Sequence, residues 1–131
     1  MITREADYAV RAILYLAQHH NDGPASSARL AEKMGIPYRF LRKIMRRLVT
    51  NGLVLSRRGK HGGVSLARPP HAVSLLDVLN TVDPHGAKLN LCLTDADSCS
   101  RKPNCATFTA MSKIQTLIDK HMASVTFDQL I

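Results

Sequence analysis

Residues 26–67 read SSARLAEKMGIPYRFLRKIMRRLVTNGLVLSRRGKHGGVSLA. Ser26 or Ser27 supplies a side-chain oxygen for the start of a helix that buries Leu30, Ala31 and Met34. Gly35 ends it, in the manner of a left-handed helix stop. One residue later Pro37 suits the first position of another helix. Phe40, Leu41, Ile44, Met45 and Leu48 fall on one face of that helix, and Arg39, Arg42, Lys43, Arg46 and Arg47 on the other. Asn51-Gly52 closes it. Two short β-rich runs follow, 53–56 and 64–67, separated by the basic, glycine-rich tip Arg57-Arg58-Gly59-Lys60-His61-Gly62-Gly63. Helix, glycine turn, basic helix and hairpin is the order of a winged helix-turn-helix.

The flanks extend this unit. Thr3 caps a first helix with Glu5 and Asp7 at its positive end; Ala6, Val10, Ile13, Leu14 and Ala17 recur at helical spacing until Asn21-Asp22-Gly23-Pro24. Pro69-Pro70 marks a boundary. Ser74 and Asp77 form a capping box for a helix carrying Leu75, Leu76, Val78, Leu79 and Val82. Residues 83–106 read as an irregular segment. A long last helix spans about Thr107 to Met122, with one apolar stripe through Phe108, Met111, Ile114, Leu117 or Ile118, and His121 or Met122, and Thr126 is placed to cap a final turn. The expected fold is mainly α with a small β-hairpin wing and a long C-terminal helix. Residues 1–68 form the winged helix-turn-helix, and 69–131 a second unit.

Charge divides along the same line. Residues 1–68 hold 13 Lys and Arg against 4 Asp and Glu, whereas 69–131 hold 5 against 6. The excess positive charge of this +8 chain thus sits in the first half, which points to a polyanion. Nucleic acid is the first candidate and an anionic membrane surface the second. No stretch reaches the roughly 18–20 apolar residues of a membrane span. Arg4, Glu5, Asp7 and Arg11 interrupt any apolar leader, so a cytoplasmic protein is expected. Nothing in the sequence resembles a P-loop, paired catalytic carboxylates or a nucleophile–base pair, which argues against an enzyme.

The second helix of a helix-turn-helix enters the major groove of double-stranded DNA, and Arg and Lys contacts to phosphate supply most of the affinity. Tyr38, Arg39, Arg42 and Lys43 are expected nearest the base edges, with Arg46 and Arg47 further along at phosphate. Arg57, Arg58 and Lys60 of the hairpin are placed to follow the backbone or enter a narrow minor groove. Five cations and no acid lie between residues 38 and 48, which is more than a solvated face requires. A winged helix can also bind RNA, and competition between the two nucleic acids separates those readings.

All three cysteines, Cys92, Cys99 and Cys105, lie within fourteen residues of the irregular segment. Thiolates are soft ligands for iron–sulfur clusters or zinc. The spacing lacks the C-x-x-C pairs of structural zinc sites, so zinc is the second reading, and a thiol redox sensor the third.

The chain resembles the family of winged-helix iron–sulfur transcriptional regulators that includes IscR, NsrR and RirA. The resemblance rests on Asp7-Tyr8-Ala9-Val10-Arg11-Ala12, Asn51-Gly52-Leu53-Val54, Ser56-Arg57-Arg58-Gly59-Lys60-His61-Gly62-Gly63 and the cysteine trio, in that order. It implies a homodimer on a duplex DNA operator, with the last helix crossing the partner. It also implies that Cys92, Cys99 and Cys105 ligate an iron–sulfur cluster. One branch of the family completes the site with a histidine three residues after the third cysteine, where this chain has Phe108. Another uses an acid early in the first helix, given by the other subunit. Asp7 matches that position, which makes it the fourth ligand and favours [4Fe–4S] over [2Fe–2S]. Asp95, Asp97, His85 or a small molecule are the alternatives, and Asp7 also has a plain role as a charge at the helix N-terminus.

Overall fold

A computed structural model of the chain describes residues 2–131. Among the described residues the helices are α1 (Arg4–Gln18), α2 (Ser27–Met34), α3 (Tyr38–Thr50), α4 (Leu75–Val82) and α5 (Ala106–Ser124). Strands β1 (Val54–Arg57) and β2 (Gly63–Leu66) form an antiparallel hairpin between α3 and α4. Short 3-10 turns occur at Pro70–Ala72, Leu91–Leu93, Lys102–Asn104 and Phe127–Leu130. The mainly helical architecture with a β-hairpin wing and a long C-terminal helix is as expected.

Local chemistry sets most boundaries. The Thr3 hydroxyl accepts from the Ala6 amide, and the Ser26 hydroxyl from that of Arg29. Gly35 closes α2 with φ +63°. Ser74 and Asp77 make both bonds of the capping box. Pro37, expected inside the first turn of α3, instead stands before it as the cap residue, with an extended ψ of 128°. Its carbonyl accepts from the Phe40 and Leu41 amides, so the proline ring fixes the approach to the helix rather than its first turn. The strands sit one residue off the expected runs. Leu53 and Ala67 fall outside them but still pair, Ala67 N donating to Leu53 O at 3.0 Å. Thr126 is in a cap position, but its hydroxyl bonds Asp128 instead of the turn backbone.

One apolar core runs through both halves of the chain. It joins Ala6, Ala9, Ala12, Ile13 and Leu16 of α1 to Leu30, Leu41, Ile44, Leu48, Val54 and Val64, and also to Val73, Val78, Leu79 and Val82. Phe127, from the C-terminal turn, is fully buried in it. The alanine face of α1 lets neighbouring helices approach closely. The C-terminus is tied back by Leu75 N to Val125 O (2.9 Å) and Phe127 N to Val73 O (3.0 Å). The winged helix is therefore held directly against α4.

The wing has its own anchor. Val64 exchanges two backbone bonds of 2.8 Å with Ala25, the residue just before the α2 cap. Gly63 makes this approach possible: its φ is +141°, and a Cβ there would lie 2.4 Å from Ala25 O. Gly63→Ala is expected to cost about 1–3 kcal/mol and lower the melting temperature by several degrees, measured by thermal unfolding. An unchanged melt would show that Ala25 does not anchor the wing.

Candidate nucleic-acid interface and cysteine site

The hairpin and α3 form the two walls of a groove of about 560 Å³, lined by Tyr38, Arg42, Arg46, Thr50, Ser56 and Arg58 among others. Tyr38 is half exposed at the start of α3, and Arg39, Arg42 and Arg46 project into solvent along it. The Arg39 guanidinium stacks on the Phe40 ring at 4.9 Å, which stiffens it without removing its charge. Arg57, Arg58 and Lys60 are exposed at the wing. Of the nine residues expected at DNA, Tyr38, Arg42, Arg46 and Arg58 line this groove, and Arg39, Arg57 and Lys60 are exposed on the same two elements. The hydroxyls of Ser27, Thr50 and Ser56 in the groove wall escaped the sequence reading, since isolated Ser and Thr carry no periodic signal.

Lys43 and Arg47 have other partners. Lys43 Nζ donates to Glu5 Oε1 at 2.6 Å, and Arg47 Nη1 to Glu5 Oε2 at 3.1 Å. Arg47 Nη1 also donates to Val82 O at 2.7 Å, on the last residue of α4. One acid on α1 thus offsets two of the five cations of α3. No pattern within α3 marks this, because Glu5 lies about forty residues away in the chain.

The cysteine segment packs on the first half of α5. Cys92, Cys99 and Cys105 are free and partly buried, and all three line one cavity of about 270 Å³ together with Leu91, Arg101, Lys102 and Phe108. Cys105 is the cap residue of α5, and its sulfur accepts from the Phe108 amide at 3.3 Å. That places sulfur at the positive end of the helix, where negative charge is stabilised. The Lys102 ammonium lies over the Phe108 ring at 5.5 Å and bonds the backbone carbonyls of Asp95 and Ala96, bracing the loop.

Gln115 fixes the base of this loop. It is 5% exposed; its Oε1 accepts from Leu89 N at 2.8 Å, and its Nε2 donates to Ala87 O at 3.1 Å and Asp119 Oδ1 at 2.8 Å. Lys88 adds an ion pair with Asp119 at 2.9 Å. A lone Gln on an amphipathic helix reads as surface, so this clamp escaped the sequence reading.

Three thiols around one cavity are soft donors of the kind that hold an iron–sulfur cluster or zinc. Asp7 does not line this cavity; it pairs with Arg11 at 2.7 Å on α1. Asp95 shares an adjoining cavity with Cys92, whereas His85 and Asp97 are exposed and line neither.

The expected single apolar stripe on α5 divides in two. Phe108, Met111, Ile118 and Met122 are partly buried, while Ile114 and Leu117 are 46% and 68% exposed. Leu91, 78% exposed, adds to the uncovered apolar surface. No helix among the described residues is long and apolar enough to cross a membrane.

Comparison with known proteins agrees with this architecture. The model of the Rrf2 family, described as iron-dependent transcriptional regulators, matches residues 2–131. The HTH-type transcriptional regulator IscR of Pectobacterium atrosepticum is 31% identical over 130 residues, covering 99% of this chain and 78% of the relative. IscR of Yersinia pestis matches to the same extent. Among solved structures, T. potens IscR superimposes with a TM-score of 0.79 at 27% identity, covering 99% of this chain and 85% of that one. CymR, the global cysteine regulator of B. subtilis, shares the fold with a TM-score of 0.76 at 21% identity, over 99% and 95% of the two chains. These relatives are regulators and not enzymes. The chain belongs to the Rrf2 family of winged-helix transcriptional regulators.

Proposed function

We propose that the protein is a cytoplasmic homodimer that binds a duplex operator, with an affinity set by an iron–sulfur cluster on Cys92, Cys99 and Cys105. The observation that carries this reading is the shared cavity of the three thiols at the N-terminus of α5, in a chain whose other end is a basic winged helix. The family's description as iron-dependent supports it. Bound there, the cluster supplies a centre that nitric oxide, oxygen or iron scarcity alters. [4Fe–4S] is favoured over [2Fe–2S], with Asp7 of the second copy as the fourth ligand. The Arg11 pair is half exposed, so its loss to a metal costs Asp7 little.

In this reading α3 is the recognition helix. Tyr38, Arg39 and Arg42 address base edges, Arg46 addresses phosphate, and Arg57, Arg58 and Lys60 hold the flanking backbone or minor groove. The uncovered Ile114, Leu117 and Leu91 belong to the interface between copies. The Gln115 clamp fixes the cysteine loop to the same helix, so a change in the loop alters the spacing of the two readers. Half-sites lie about one helical turn apart, so a small change in spacing lowers affinity.

Duplex DNA titration over a range of salt tests the reading half. Arg42→Ala with Arg46→Ala is expected to weaken specific binding by about 10²-fold or more. The log–log salt dependence is expected to flatten by close to 0.9 for each phosphate that is no longer neutralised. Equal affinity for single-stranded RNA and duplex DNA, or a double variant that binds as the parent does, would contradict it.

A further inference from the structure

Arg47 sits where three elements meet. Its Nη1 is shared between Glu5 of α1 and the carbonyl of Val82 at the end of α4. The last carbonyls of a helix lack intrahelical partners, and a cation there is favoured by the dipole as well as by the bond. Arg47 therefore caps α4 from the side of α3. Val82 is buried, and the segment carrying the cysteines begins at the next residue, Asp83.

That junction is under-satisfied. Asp83 Oδ1 accepts from Gly86 N at 2.8 Å, but Asp83 Oδ2 is buried with no hydrogen-bond partner among the described residues. A buried unpaired oxygen is costly, and another arrangement of the segment that exposes or pairs it is favoured by that amount. The other anchor, Glu5, is two residues from Asp7 and on the same helix. The end of α4, which leads into the cysteine segment, and the start of α1, which carries the Asp7 offered to the second copy's cysteine site, both meet one guanidinium of the recognition helix.

We infer that Arg47 is a positioning residue, anchored by Glu5 and Val82, that links the state of the cysteine segment to the recognition helix and makes no phosphate contact. Arg42 and Arg46 line the groove beside the wing; Arg47 does not, and its partners lie within the protein. This inference rests on the cluster-controlled reading above. Loss of the cluster moves the segment, the end of α4 moves with it, and Arg47 transmits the shift to α3 as a contiguous chain of bonds.

The test compares the full-length wild type with Arg47→Gln, Arg46→Gln and Glu5→Gln, each cluster-loaded without oxygen and again after removal by a chelator. Duplex affinity is measured at several salt concentrations. Arg46→Gln is expected to reduce the salt slope by about 0.9 and to keep the wild-type ratio of loaded to stripped affinity. Arg47→Gln is expected to keep the slope and bring that ratio, about 5–150-fold in typical allosteric coupling, to near one. Glu5→Gln leaves the Arg47–Val82 bond in place and decides the matter if Arg47→Gln fails to fold. It is expected to shrink the ratio severalfold without flattening the slope. Arg47→Gln with a slope reduced as in Arg46→Gln, or either Arg47→Gln or Glu5→Gln with an unchanged ratio, would overturn the inference alone. A wild-type ratio of one would overturn the cluster reading and this inference with it.

Discussion

Cys99→Ala is expected to remove the visible chromophore and acid-labile sulfide completely while leaving the fold and the stripped protein's DNA affinity unchanged. Among the described residues Cys99 makes no side-chain hydrogen bond and is not part of the apolar core, so its loss subtracts the proposed ligand and little else. Cys105 is a less clean choice. Its sulfur caps α5 through the Phe108 amide, and alanine there also removes the cap, a loss of about 0.5–2 kcal/mol by analogy with oxygen caps. Cys105→Ser retains an acceptor at that position and separates the two roles. Absorption spectra, iron and sulfide content and a thermal melt are sufficient to read each variant. A Cys99→Ala protein with its full spectrum would show that this cysteine is not a ligand.

On the homodimer reading, Leu117→Glu is expected to yield a stable monomer and to weaken operator binding by about 10²–10⁴-fold. At 68% exposure the leucine contributes little to its own protomer, so the substitution barely changes the monomer. In an interface between copies the same glutamate meets its symmetry mate's apolar surface without a partner, which association cannot repay. The drop in affinity follows from the loss of avidity. Two linked readers bind the second half-site at a high effective concentration, and a single reader forfeits that advantage. Sedimentation and duplex titration measure the two effects. A dimer that persists in Leu117→Glu and also in Ile114→Glu would place the interface elsewhere.

Features encoded by neighbouring residues were legible before the structure. Thr3, Ser26, Gly35 and the Ser74–Asp77 box each act within three or four residues, so their effects appear as short patterns. The same holds for the hairpin, whose tip is marked by glycines and whose strands are marked by β-branched and apolar residues. What escaped depends on distant partners. Phe127 stands alone after the Thr126 cap in the sequence, yet it is a core residue because the C-terminal turn folds back on Val73. Lys43 and Arg47 look equivalent to Arg42 and Arg46 until Glu5 is brought alongside by the packing of α1 on α3. The apolar residues of α5 form one stripe on paper, but in space Ile114 and Leu117 stay exposed while Phe108 and Met122 are partly buried. The cysteines were legible as a group, while the Gln115 clamp and the Lys102 brace that hold their segment have no sequence signature.

The most direct test is a duplex titration on protein purified without oxygen, with iron and sulfide determined on the same sample, repeated after the metal is removed. A brown, sulfide-containing protein whose operator affinity changes at least severalfold on cluster loss is the expected result. A colourless protein that cannot be reconstituted, yet binds the operator with one unchanging affinity, would leave the winged helix as a reader of DNA and contradict its control by an iron–sulfur cluster.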